Sequence, residues 1–305
     1  MHQGSLSNLT PIAKLVVLFT SILFCVSIST LVMSLIAKPI FDVDMTSMEE
    51  LQSNITFMQS FQIIQSISLF IIPSLLAFYF FFKNFNIGIK GEGTISIQTA
   101  IITISLIFIA QAFITYSGWL NHQLQFPESM QYIMDWMSKK ENETAELTKT
   151  LIRSDNWFQI FITVLMMSIL PAIGEEWLFR GLLQHYLGDW INNKHIAIFL
   201  TAIIFSAVHM QFLTFLPRFL LGIILGYIFI FSGNLWLAII AHFTNNFMAI
   251  IAYIVMSNNE EHSPLDIPSE NPFGFGVVIS LLVIIGGLYA IKHISLQTPS
   301  KTNAY

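Results

Sequence analysis

Runs of about 20 apolar residues, separated by short polar stretches, recur along almost the whole chain, and they limit its fold more than any other feature. An α-helix rises 1.5 Å per residue, so each run is long enough to cross the ~30 Å hydrocarbon core of a bilayer. Inside that core every backbone N–H and C=O must find its partner within the segment, which selects helices. Eight runs are read: 15–36, 61–82, 98–120, 157–179, 196–215, 217–232, 234–256 and 273–292. The expected fold class is all-α, a polytopic transmembrane bundle of about eight helices. Composition agrees, since 54% of the 305 residues are hydrophobic and only 10% are charged, against roughly a quarter charged in soluble domains. The net charge of −5 comes with no basic cluster, so no nucleic-acid partner is expected. The surrounding partner is the lipid bilayer. Cys25 is the single cysteine, which rules out an intrachain disulfide, and its place in the first run marks it as a packing residue.

Organisation follows from the breaks between runs. The first run is too long for the apolar region of a signal peptide and is read as a span. Pro217 separates the fifth and sixth runs, being suited to the first turn of a new helix. Ser232-Gly233-Asn234 reads as a tight turn, and the Gly-rich segment 88–93 as a flexible connection. Loop 121–156 has amphipathic character around Met130 to Met137, which suits a membrane surface. The chain divides into a three-span region with its long loop (1–156), a helical core (157–256) and a C-terminal span (257–305), together one membrane domain. An even number of spans puts both termini on one side. Lysines and arginines are equally divided between the two sides, but four of one set fall in the long loop, where they count for less. Cytoplasmic termini are therefore expected, and a compact chain with no organelle-targeting signal is expected in a bacterial inner membrane.

A few ionisable groups interrupt the apolar runs. Glu175, Glu176 and Arg180 close the fourth run, His209 lies in the fifth, and His242 and Asn246 lie in the seventh. An ionisable side chain in hydrocarbon costs about 2.5–3.5 kcal/mol on insertion scales, so it normally faces a partner or a watery cavity. Glu176 and Arg180 are four apart and share a helix face, with the acid on the favourable N-terminal side. Glu175 is turned about 100° away, so one carboxylate is free to pair with arginine while the other points elsewhere. His242 and Asn246 share a face of one helix, and Phe205 and His209 share a face of another. Counted along their helices, the three sets fall at overlapping depths, with the acids near the end of the fourth span and Pro171 and Gly174 as candidate breaks just before them.

Signatures of the common soluble hydrolases, G-x-S-x-G and H-E-x-x-H, are absent from the sequence. A carboxylate beside imidazoles can act as general base toward water, and an imidazole with a carboxamide can donate to an oxyanion. Glu175, His209 and His242 are equally a donor set for a divalent metal such as zinc with an open position. Spacing does not separate the two chemistries.

Taken together, Glu175-Glu176-x-x-x-Arg180, Phe205-x-x-x-His209 and His242-x-x-x-Asn246 resemble the three motifs of the CAAX-protease and bacteriocin-processing (Abi, CPBP) family. The resemblance covers about 100 residues and implies an eight-helix intramembrane endopeptidase acting on a peptide or protein substrate in the membrane. It implies that Glu175 activates the water with help from His209, that His242 and Asn246 stabilise the oxyanion, and that Glu176 and Arg180 brace the site beside Phe205. Zinc is left open, as is the substrate, prenylated or not. Two other readings use the same groups: a proton or ion transporter, and a non-catalytic scaffold or immunity factor of the same fold.

Overall fold

The computed structural model describes residues 4–124, 127–152, 156–256 and 270–297. Arg153, Lys301 and positions 257–269 of the acidic connection lie outside these. Among the described residues the fold is helical throughout, and its only bridge between extended residues joins Gly91 to Asn234. The main helices are α1 (Pro11–Phe41), α2 (Ile55–Phe81), α3 (Ile97–His122), α4 (Gln131–Leu151), α5 (Trp157–Ile191), α6 (Lys194–Ala207), α7 (Phe215–Ser232), α8 (Leu235–Met256) and α9 (Phe275–Gln297).

Seven of them, all but α4 and α6, are long and apolar enough to cross a membrane, with α7 counted from Phe212. The chain is thus an integral, multi-pass membrane protein. Eight full spans were expected, and the difference lies in the fifth run. Instead of continuing to residue 215, α6 stops at Ala207, and a turn through Met210, with φ 55°, leads to a single 3-10 turn before α7 begins. Among the described residues, α6 is the shorter apolar helix that makes the difference between seven full-length spans and the eight expected.

The fourth run also differs from its reading. It continues to Ile191 as one 35-residue helix, so the acids sit near its middle rather than at its end. Pro171 does not break it. A π-helical stretch at Leu165–Ile169 comes just before the proline and absorbs the backbone hydrogen bond that its ring removes. The same device recurs in α2, where a π-helical stretch at Ile67–Ile71 precedes Pro73. These two helices meet at Gly174, where a Cβ would lie 2.6 Å from Cβ of Phe70. A second π-helical stretch, Trp177–Gln184, follows the acids and carries Arg180.

Three apolar clusters hold the bundle together, the smallest joining α1 to α2 through Met33, Ala37 and Phe57. Another packs Phe78, Trp177, Phe179, Leu182, Phe205 and Leu235 between α2, α5, α6 and α8. The third joins α3, α7, α8 and α9 through Leu106, Ile107, Leu225, Ile228, Leu237 and Ile284. Outward positions are apolar as well, such as Phe24 and Leu35 on α1, as expected for helices whose solvent is lipid.

Two connections are more ordered than the sequence suggests. Half of loop 121–156 is α4, which docks on the loop before α7 through Glu141. The Gly-rich segment is pinned rather than flexible: Gly93 N–H donates to the Gly233 carbonyl at 2.8 Å, and Asn234 Nδ2 donates to the Gly93 carbonyl at 2.6 Å. The 232–234 turn itself forms as expected, with Gly233 at φ 63°.

A Gly174→Ala substitution is expected to destabilise the protein by about 1–3 kcal/mol, the usual cost of overpacking. Thermal unfolding in detergent measures it, and adding Phe70→Ala should recover part of the loss. An unchanged midpoint would show that α2 and α5 are not in close contact at this level.

Candidate functional site

The two adjacent glutamates have different surroundings. Glu176 is fully buried, and its Oε1 accepts from Arg180 Nη1 at 2.7 Å and from His242 Nδ1 at 2.8 Å. The i,i+4 pairing on α5 therefore forms as the spacing predicts, and His242 joins it from α8. Arg180, also fully buried, donates from Nη2 to the Gly222 carbonyl of α7 at 3.1 Å. One ion pair thus ties α5, α7 and α8 together. With both charges in a dry interior, the pair holds its place through its close geometry and the bond to Gly222, while Arg180 Nε and Glu176 Oε2 are left without a partner.

Phe205 forms the floor of this network. Its ring lies 4.7 Å from the Arg180 guanidinium, 5.2 Å from the Phe179 ring, 5.3 Å from the His209 ring and 5.8 Å from the His242 ring. Its carbonyl accepts from His209 Nδ1 at 2.8 Å. That bond closes the end of α6, and with Nδ1–H as donor the neutral ring keeps Nε2 as an acceptor.

Glu175 faces the other way. It is 8% exposed, its Oε2 has no protein partner, and it lines a cavity of about 770 Å³ together with His209, Arg218 and Asn246. The remaining wall is mostly apolar, with Leu51, Phe57 and Phe61 on one side and Leu147, Leu151 and Met166 on the other. Asn246 is held by its Nδ2, which donates to the Met167 carbonyl at 3.3 Å, and by Oδ1, which accepts from Asn245. Met167 belongs to the first π-helical stretch of α5. That wider turn brings its carbonyl to α8.

Of the residues expected from sequence, Glu175, His209 and Asn246 share the cavity wall. His242 does not line it; it packs behind with Glu176 and Arg180. Among the described residues, no three His, Cys, Asp or Glu side chains are grouped as metal ligands. The three residues expected as zinc ligands, Glu175, His209 and His242, are thus not grouped here, because the His242 ring lies off the cavity wall that the other two share.

Arg218, on the cavity wall, was not singled out from the sequence. The signal was a lone arginine one residue inside an apolar run, with Thr214 four residues earlier. Glu141 was missed as well. It lies on a different helix, and nothing in its local sequence points to α7.

Removing the arginine should be costly. Arg180→Ala leaves a buried carboxylate without its cation, and a loss of about 3–5 kcal/mol is expected. Unfolding midpoints measure it, and the double variant with Glu176→Gln should regain much of the loss. A single variant as stable as the parent would mean that the pair is not buried as described.

Residues 157–248 match the family of Rce1-like type II CAAX prenyl endopeptidases. The uncharacterized protein YpbD of Bacillus subtilis is 31% identical over 84 residues, which cover 26% of this chain and 40% of YpbD. The chain thus spans less than half the length of that relative. No solved structure matches it. The matched segment holds all three motifs read from the sequence, from α5 through most of α8.

Proposed function

We propose, from the match of residues 157–248 to the Rce1-like family, that the protein is an intramembrane peptidase using Glu175 to activate water. The observation that carries this reading is the division between two neighbouring carboxylates. Glu176 is fully buried with Oε1 held by Arg180 and His242, while Glu175 lines the cavity beside His209. A general base has to reach both a water and a substrate, and only Glu175 is placed to do so.

In this mechanism a water bridges the Glu175 carboxylate and His209 Nε2. Glu175 takes its proton as the oxygen attacks the peptide carbonyl carbon, and the carbonyl π pair moves onto oxygen. The Asn246 amide, on the cavity wall, is the donor for that oxyanion. Behind the wall, Glu176 fixes the His242 ring through its bond to Nδ1. Collapse of the intermediate breaks the C–N bond, and the leaving nitrogen takes the proton from Glu175. No step is routed through a metal, since the donors do not converge on one.

The substrate is proposed to be a membrane-associated peptide segment. Support comes from the apolar cavity wall and from the prenyl endopeptidase description of the matched family. A cavity of this size, with a few polar groups on one side, suits a bound chain segment.

Cleavage of a membrane-tethered peptide library by purified protein tests the reading, with Glu175→Gln as the control and a chelator in parallel. Products that vanish with Glu175→Gln are expected, at a rate the chelator leaves unchanged. Loss of cleavage with chelator would restore a metal role, and absence of any product would favour the scaffold reading. Asn246→Ala is expected to lower kcat by about 10²–10³ with a much smaller change in KM, because an oxyanion donor acts on the transition state. Equal losses in both parameters would argue against that role.

A further inference from the structure

The mechanism above leaves one cation of the cavity wall unused. Arg218 sits in the first turn of α7, directly after Pro217. Its Nη1 donates to the Gln211 carbonyl at 3.4 Å and to the carbonyl and Oγ1 of Thr214, at 3.2 and 2.5 Å. Nη2 donates to Gln211 Oε1 at 2.5 Å. All four acceptors are neutral oxygens.

The contrast with Arg180 is instructive, because that arginine has the Glu176 carboxylate against it at 2.7 Å. Among the described residues Arg218 has no ion pair. Glu141 makes no direct contact with it: its Oε1 accepts from the Thr214 hydroxyl at 2.6 Å and from Gln211 Nε2 at 3.5 Å, so its charge acts on the guanidinium from one step away. Glu141 and Thr214 thus orient the guanidinium without covering it. Arginine carries five N–H donors. The bonds above engage both Nη1 hydrogens and one on Nη2, leaving Nε–H and a second Nη2–H without partner. Two such donors are what a carboxylate needs for a bidentate contact. An arginine in an apolar bundle without a paired anion is costly to maintain, and it marks a functional position by default.

Arg218 lines the same cavity as Glu175, His209 and Asn246. We propose that it seats a carboxylate of the bound peptide and so selects substrates that carry one near the cleavage point. This deepens the peptidase reading and rests on it. The arginine also offsets the repulsion that a substrate carboxylate would otherwise meet from Glu175. Two sources supply the same chemistry: the terminal carboxylate of the substrate, or an Asp or Glu side chain within it.

Three versions of one fluorescent apolar peptide separate the outcomes: a C-terminal free acid, its C-terminal amide, and the amide with one Glu near the end. Binding to the full protein in detergent micelles is read by fluorescence anisotropy, and cleavage is followed on the same peptides. The free acid is expected to bind about tenfold more tightly than the amide, a difference of about 1.4 kcal/mol. The Glu-containing amide shares that gain if any carboxylate is read, and lacks it if only a chain terminus is. Arg218→Gln should bring the acid down to the level of the amide, and Arg218→Lys should keep only part of the preference. A wild-type protein that binds acid and amide equally, or that binds none of the three, overturns the proposal whether or not the variants fold. A variant that weakens all three in equal proportion overturns it too. Carboxylate preference without cleavage keeps the seat and removes the peptidase reading, whereas cleavage without preference does the reverse.

Discussion

The buried contact of Glu176 with Arg180 and His242 is the interaction on which the rest of the structure depends. It fixes α5 against α8 through one carboxylate oxygen, and against α7 through the Gly222 carbonyl that receives the second guanidinium nitrogen. With Glu176 Oε1 engaged, its neighbour Glu175 is the carboxylate of the two that lines the cavity. On a helix, consecutive side chains diverge by about 100°, so locking one inward turns the next toward a different surface. Here that surface is the wall of the cavity.

Backbone irregularity supports this arrangement. The π-helical stretches of α5 lie on either side of the two glutamates, one carrying Met167 and the other Arg180. Wider turns rotate the following residues and leave carbonyls to be satisfied from outside the helix, and Asn246 satisfies that of Met167. The turn after α6 is a further departure, with Met210 in the left-handed region and His209 bonded to the carbonyl four residues before it. Such features persist where surrounding contacts over-determine them, and functional sites are where they concentrate.

Much of this was legible in the sequence. An ionisable group in an apolar run is conspicuous, so Glu175, Glu176, His209 and His242 stood out, and i,i+4 spacing gave the Glu176–Arg180 pair directly. The course of the helices was less legible, for physical reasons. Hydropathy ends the fourth run near residue 179, because the polar residues beyond it look like a loop, yet α5 carries them on to Ile191. The end of α6 is set by a side-chain cap in an apolar stretch, where hydropathy has no contrast to offer. Proline signalled a break at 171, but a π-helical turn absorbed it, and nothing in the residue pattern announces such a turn. The glycines at 91 and 93 suggested slack, whereas they are there because a second backbone lies against them. Arg218 and Glu141 come together from helices far apart in sequence, and only the tertiary fold pairs them with Thr214.

The division between the two glutamates is the central claim, and chemical labelling of carboxyls tests it most directly. An apolar carbodiimide applied to the folded protein at mildly acidic pH, followed by peptide mass spectrometry, reads the accessibility of each side chain. Modification of Glu175 with Glu176 protected until the protein is unfolded is the predicted result. Equal modification of the two, or a protected Glu175 beside a reactive Glu176, would contradict the account.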